Sequence, residues 1–119
     1  MSCLFNSLSY FIKDDSLKIR HTICDYLEQN KSIIDGMETR DILQYENNND
    51  NYIQNMRNTC TWGGAIEIQC ACNIWNSRII VINNRDIGNR QIEFIPLSGR
   101  YETTMYLDWT GGHYEPVRN

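Results

Sequence analysis

The sequence predicts an α/β domain of the α+β type, with helices up to Trp75 and strands after it. Three observations carry this prediction. Apolar residues recur at helical spacing at Leu4, Leu8 and Phe11, and again around Ile23 and Leu27. Arg78-Ile79-Ile80-Val81-Ile82-Asn83 is a continuous β-branched run. Two further strand-like runs flank Trp109-Thr110-Gly111-Gly112, a glycine-rich loop of hairpin length.

Taken in order, Met1 to Phe11 forms a short helix with one apolar face, and Cys3 stands at its mouth. Ser16 is the expected N-cap of a second helix reaching about Asn30, with Leu17, Ile23, Cys24 and Leu27 inward and Asp25, Glu28 and Gln29 outward. His21, among Lys18, Arg20 and Asp25, reads as a solvated or edge histidine. Between Lys31 and Asn58 the pattern is weak: Asp35-Gly36 suggests a turn, Asp41 to Leu43 the start of a short helix, and Glu46 to Asn51 a polar loop. Thr61 to Trp75 satisfies both strand and helix periods. Its length exceeds that of an ordinary buried strand, which favours a buried helix beginning near Gly63 and Gly64.

The first strand, Arg78 to Asn83, is apolar enough to be covered on both faces. Gln91 to Pro96 forms the second, stopped by its proline. Thr104 to Asp108 and His113 to Val117 form the final hairpin.

Composition narrows the function classes. A chain of 119 residues, 41% hydrophobic and 22% charged, is expected to fold as one domain, residues 1–119. A net charge of −4 without a basic stripe argues against nucleic acid as a partner. No apolar run approaches the ~20 residues of a membrane span, and no basic-then-apolar leader opens the chain, so a cytoplasmic protein is expected. The odd cysteine count (Cys3, Cys24, Cys60, Cys70 and Cys72) without a secretory signal suggests reduced thiols. Cys70-Ala71-Cys72 is too closely spaced for an ordinary zinc pair, so no metal or other cofactor is expected.

Two places carry chemistry. A helix N-terminus offers unpaired N–H groups and the positive end of the macrodipole, which favour a thiolate at Cys3; a cysteine beside Leu4 and Phe5 also fits a small buried hydrophobe. In the last strand His113 and Glu115 lie two residues apart and share a face. The spacing lets the Glu115 carboxylate reach Nδ1 of His113, leaving Nε2 free and fixing the imidazole as a nucleophile triad's third member does. A loop of Trp109 to Gly112 places Asp108 directly across from His113 as a rival orienter. Gly111 and Gly112 permit a close approach of backbone or substrate.

Together, Cys3-Leu4-Phe5 leading a helix, Trp62-Gly63-Gly64 with Glu67 leading another, and terminal Gly112-His113-Tyr114-Glu115 resemble the ovarian-tumour-domain (OTU) cysteine proteases. Nucleophile first and histidine last is that family's order. The resemblance implies a small papain-like OTU fold, a mostly antiparallel sheet flanked by helices. It implies hydrolysis of the bond after the C-terminal Gly-Gly of ubiquitin, with ubiquitin, polyubiquitin or a ubiquitin-like modifier as partner. Cys3 then matches the nucleophile, His113 the general base and Glu115 its orienter. Tyr114, Trp109 and Gly112 are placed to wall a channel for a Gly-Gly tail, although both aromatics also fit ordinary core positions. Trp62 and Glu67 read as scaffold.

One departure stands out. The family carries an Asp-Gly-Asn or Asp-Gly-Asp run before its cysteine, where this sequence has only Met1 and Ser2. In that family the backbone turn there supplies oxyanion donors, whose loss costs roughly hundreds-fold in rate; a start set too late, an inactive relative, or a chain for which two residues suffice are all open on the sequence. Three readings follow: a monomeric deubiquitinating thiol hydrolase, an inactive OTU-like module that binds ubiquitin, or an interaction domain whose cysteine and histidine are structural. The abundance of Asn and Ile suggests an AT-rich genome, of a large DNA virus or a protist, and host cytoplasm if viral.

Overall fold

The computed structural model describes residues 3–29, 52–58, 63–83, 90–110 and 113–117. Four helices precede four strands among them: α1 (Cys3–Ile12), α2 (Ser16–Glu28), α3 (Tyr52–Arg57), α4 (Ala65–Trp75), then β1 (Ser77–Asn83), β2 (Arg90–Phe94), β3 (Thr103–Trp109) and β4 (Tyr114–Pro116). The mixed α+β class is as the sequence predicts.

Helix α1 forms where expected and buries Leu4, Phe5 and Leu8. Helix α2 begins one residue differently from the prediction. Its cap is Asp15, whose side chain accepts from the Leu17 N–H at 2.8 Å, while Ser16 is already helical. Leu17, expected inside, is exposed; Ile19 and Arg20 are buried with Ile23, Cys24 and Leu27. Helix α3 was not foreseen, being too short to show a period. The turn expected at Asp35-Gly36, the helix start at Asp41 and the polar loop at Glu46 to Asn51 lie outside the described residues.

The ambiguous stretch before Trp75 is a helix. Ile68, Cys70, Ala71 and Cys72 are buried, and Ile66, Ile74 and Trp75 pack partly against the core. Asn76, at φ 52°, ends α4 in the left-handed conformation that asparagine tolerates, and β1 follows directly.

The sheet order is β2-β1-β3-β4. Strands β1 and β2 are antiparallel, β1 and β3 parallel, and β3 and β4 antiparallel, so two of the three pairings are antiparallel. Ile79 and Val81 pair with Met105 and Leu107 on one face, and all four join the core shared with the helices. Ile80, on the opposite face, is also buried, in keeping with a strand covered on both sides. Strand β2 stops at Phe94, two residues short of the proline. Helix α1 packs on β4 and α2, and α4 on β1, β2 and α2.

The final hairpin closes one residue later than predicted. Asp108 pairs with Glu115 and Trp109 with Tyr114, and the Thr110 N–H donates to the His113 carbonyl at 3.0 Å. Asp108 therefore faces Glu115 rather than His113.

Candidate active site

Cys3 opens α1. The apolar face of Leu4, Phe5 and Leu8 anchors the helix, which leaves Cys3 half-buried at its N-terminal rim. Its carbonyl accepts from the Ser7 hydroxyl at 2.8 Å, within the first turn. A helix N-terminus is where backbone N–H groups and the positive end of the helix dipole gather.

His113 and Glu115 flank the start of β4. His113 Nε2 lies 3.2 Å from Glu115 Oε1, and both side chains are more than half exposed (55% and 65%). The predicted pair is present, but through the opposite nitrogen. Glu115 holds Nε2, so Nδ1 is the ring nitrogen left for other work.

Tyr114 joins this strand to Cys3 electrostatically. Burial raises its phenol above the usual tyrosine range, and negative charge at Cys3 and then at Glu67 adds to the effect. Tyr114 and Trp109 are cross-strand partners, half-buried against the core and still presenting an open edge. Gly112, with Gly111, Cys60 and Trp62, lies outside the described residues.

The other described cysteines are unlike Cys3. Cys24, Cys70 and Cys72 are fully buried. Burial pushes the Cys24 thiol up to about 11 and that of Cys72 to about 12, and raises Cys70 further. Such thiols are poor nucleophiles.

Two buried polar side chains escaped sequence reasoning as contributors to the site. Glu67 lies on the first turn of α4 and accepts from the Gly64 N–H at 2.8 Å and the Tyr52 hydroxyl at 2.6 Å. Burial raises its carboxyl above the ordinary range, opposed by those two hydrogen bonds. Arg20 donates to the carbonyls of Met56 at 2.6 Å and Asn58 at 2.8 Å, and its guanidinium lies 4.2 Å from the centre of the Phe5 ring. The Glu67 signal was legible as an acid three residues after a helix cap. For Arg20 there was none.

A cysteine at a helix N-terminus and a histidine–carboxylate pair at the strand packed on that helix are residue types that thiol hydrolases use. The sequence profile of the OTU-like cysteine proteases matches residues 2–114, and the chain belongs to that family. It is 28% identical over 118 residues to the ubiquitin thioesterase OTU1 of Dictyostelium discoideum, covering 98% of this chain and 34% of that protein. The chain thus spans about a third of the length of that curated relative. Among solved structures, an OTU domain in complex with ubiquitin superposes with a TM-score of 0.76 at 20% identity, covering 97% of this chain and 62% of that one. An OTU deubiquitinase from Wolbachia pipientis wMel bound to ubiquitin gives 0.68 at 19% identity, covering 99% and 90%. These likenesses identify the fold as that of OTU domains.

Proposed function

We propose that the chain is a deubiquitinating cysteine protease that hydrolyses the isopeptide bond after the C-terminal Gly-Gly of ubiquitin. The observation that carries this reading is the His113–Glu115 pair on a strand packed against the helix that Cys3 opens. The family and the ubiquitin-bound neighbours supply the substrate class.

In the proposed mechanism the imidazole takes the Cys3 proton through Nδ1, and Glu115 at Nε2 stabilises the imidazolium. The thiolate adds to the isopeptide carbonyl. As the tetrahedral intermediate collapses, the C–N bond breaks and His113 returns its proton to the departing lysine amine. Water, deprotonated by His113, then cleaves the thioester, releasing the ubiquitin carboxylate and restoring the thiol. Tyr114 and Trp109 wall the approach, where a narrow channel admits a tail without side chains.

An electrophilic ubiquitin probe tests the reading. Covalent capture at Cys3, lost in Cys3→Ala and strongly slowed in His113→Ala, is the expected result. Binding of ubiquitin without capture would instead make the chain an inactive ubiquitin-binding module.

A further inference from the structure

We propose that Glu67 and Gly63 form a positioning device for Cys3: the buried carboxylate fixes the backbone ahead of α4, and Gly63 braces the first turn of α1. The inference rests on the reading of Cys3 as nucleophile and extends it to residues well away from the reacting atoms.

Glu67 is 1% exposed, and a carboxylate so deep is retained at a cost. Its two oxygens are used separately. Oε1 takes the Gly64 N–H and Oε2 the Tyr52 hydroxyl, so it locks the turn before α4 to the start of α3. The far end of α3 is locked too, because Arg20 takes the carbonyls of Met56 and Asn58. Both ties converge on α1. A Cβ added at Gly63 would stand 2.6 Å from Leu4 Cδ2 and 3.1 Å from two carbons of the Phe5 ring. Arg20 lies over that same ring. Leu4 and Phe5, the two residues after Cys3, thus meet Gly63, with Phe5 held between Gly63 and Arg20, and each arm of the clasp is anchored by α3.

Apolar packing alone holds a helix in place as strongly. Directional bonds to a buried carboxylate add fixed geometry, and a thiol and imidazole that must exchange a proton tolerate only about 0.5 Å of misplacement. Glu67 and Gly63 touch neither substrate nor thiol. They act through the placement of α1.

The test uses Glu67→Ala, Glu67→Gln and Gly63→Ala in the full chain. Three quantities are read: the thermal midpoint, kcat and KM on a fluorogenic amide of the ubiquitin C-terminus, and the pH profile of Cys3 alkylation by iodoacetamide, followed at the Cys3 peptide by mass spectrometry. Glu67→Ala and Gly63→Ala are expected to lower kcat about tenfold or more with KM little changed. Both are expected to shift the alkylation profile toward that of His113→Ala. Glu67→Gln keeps an acceptor for the Gly64 N–H and is expected to recover most of kcat.

Loss of thermal stability alone, with kcat and the alkylation profile of the wild type, would overturn the proposal; if Glu67→Ala fails to fold, Gly63→Ala decides. A wild-type chain inert toward ubiquitin, whose Cys3 profile nevertheless responds to the variants as described, would sink the substrate reading and leave the positioning role standing. A wild-type profile indifferent to His113→Ala would overturn both.

Discussion

His113 meets Glu115 through Nε2, at 3.2 Å, and this leaves Nδ1 as the nitrogen that can serve a thiol. The contact is solvent-exposed and therefore weak as a source of stability. Its consequence is kinetic. Glu115→Ala is expected to lower kcat about tenfold, a fraction of the loss on removing the base itself, which is worth roughly a hundredfold to ten-thousandfold. Stopped-flow capture by the ubiquitin probe compares Glu115→Ala with His113→Ala. Equal losses would show that the carboxylate does more than orient.

Asp108 offers a control on the same sheet. Because it lies opposite Glu115 and not His113, Asp108→Asn should leave kcat within about threefold of wild type, since like charges facing across strands destabilise and their removal relieves strain on Glu115. A hundredfold loss would make Asp108 the true orienter.

The thiols should differ sharply in reactivity. A brief exposure to iodoacetamide near neutral pH should modify Cys3 and spare Cys24, Cys70 and Cys72, whose buried thiols are held far from ionisation. Peptide mass spectrometry reads this directly. Modification of Cys70 at a rate like that of Cys3 would contradict the described core.

Glu67 sets a pH dependence of known sign. Its carboxyl titrates above the ordinary value of 4.5 when folded, chiefly through burial. Between those two values the native chain binds more protons than the unfolded one, so stability falls as pH rises through that window. Below it the contribution is complete. Urea midpoints at about pH 5 and about pH 8 should therefore differ more in the wild type than in Glu67→Gln, which cannot ionise.

Arg20 should prove a large contributor to stability. Arg20→Ala leaves two carbonyls without their donor and opens a void beside Phe5, an expected loss of about 3–5 kcal/mol from a typical reserve of about 5–15. Equilibrium urea unfolding measures it. Arg20→Lys should recover little, because a point charge cannot span both carbonyls and stack on the ring.

Legibility followed range. The face of Leu4, Phe5 and Leu8 and the run Ile79 to Ile82 were readable because burial there follows a local period. Helix α3 has six residues, fewer than two turns, and its buried side is only Tyr52 and Met56. Asp15 and Ser16 are both good caps, and adjacent candidates are not resolved by composition. The hairpin turn moved by one residue, which shifts the partner of Asp108 by two, because a loop of threonine and glycines does not itself choose where pairing resumes. At the candidate site, residue types and order were readable, since His113 and Glu115 are neighbours in sequence. Which imidazole nitrogen Glu115 meets depends on ring orientation, which no spacing encodes. The Gly63 contact with Leu4 was equally hidden, since it joins segments that meet only on folding.

The packing of α1 against β4 has a temporal side. One contributes the earliest described residues to leave a ribosome and the other the latest, so their meeting is a late, entropically expensive closure. Nascent or C-terminally clipped chains would carry the sulfur without its imidazole. Whatever reactivity arises from bringing the two together is thereby withheld until synthesis has passed β4.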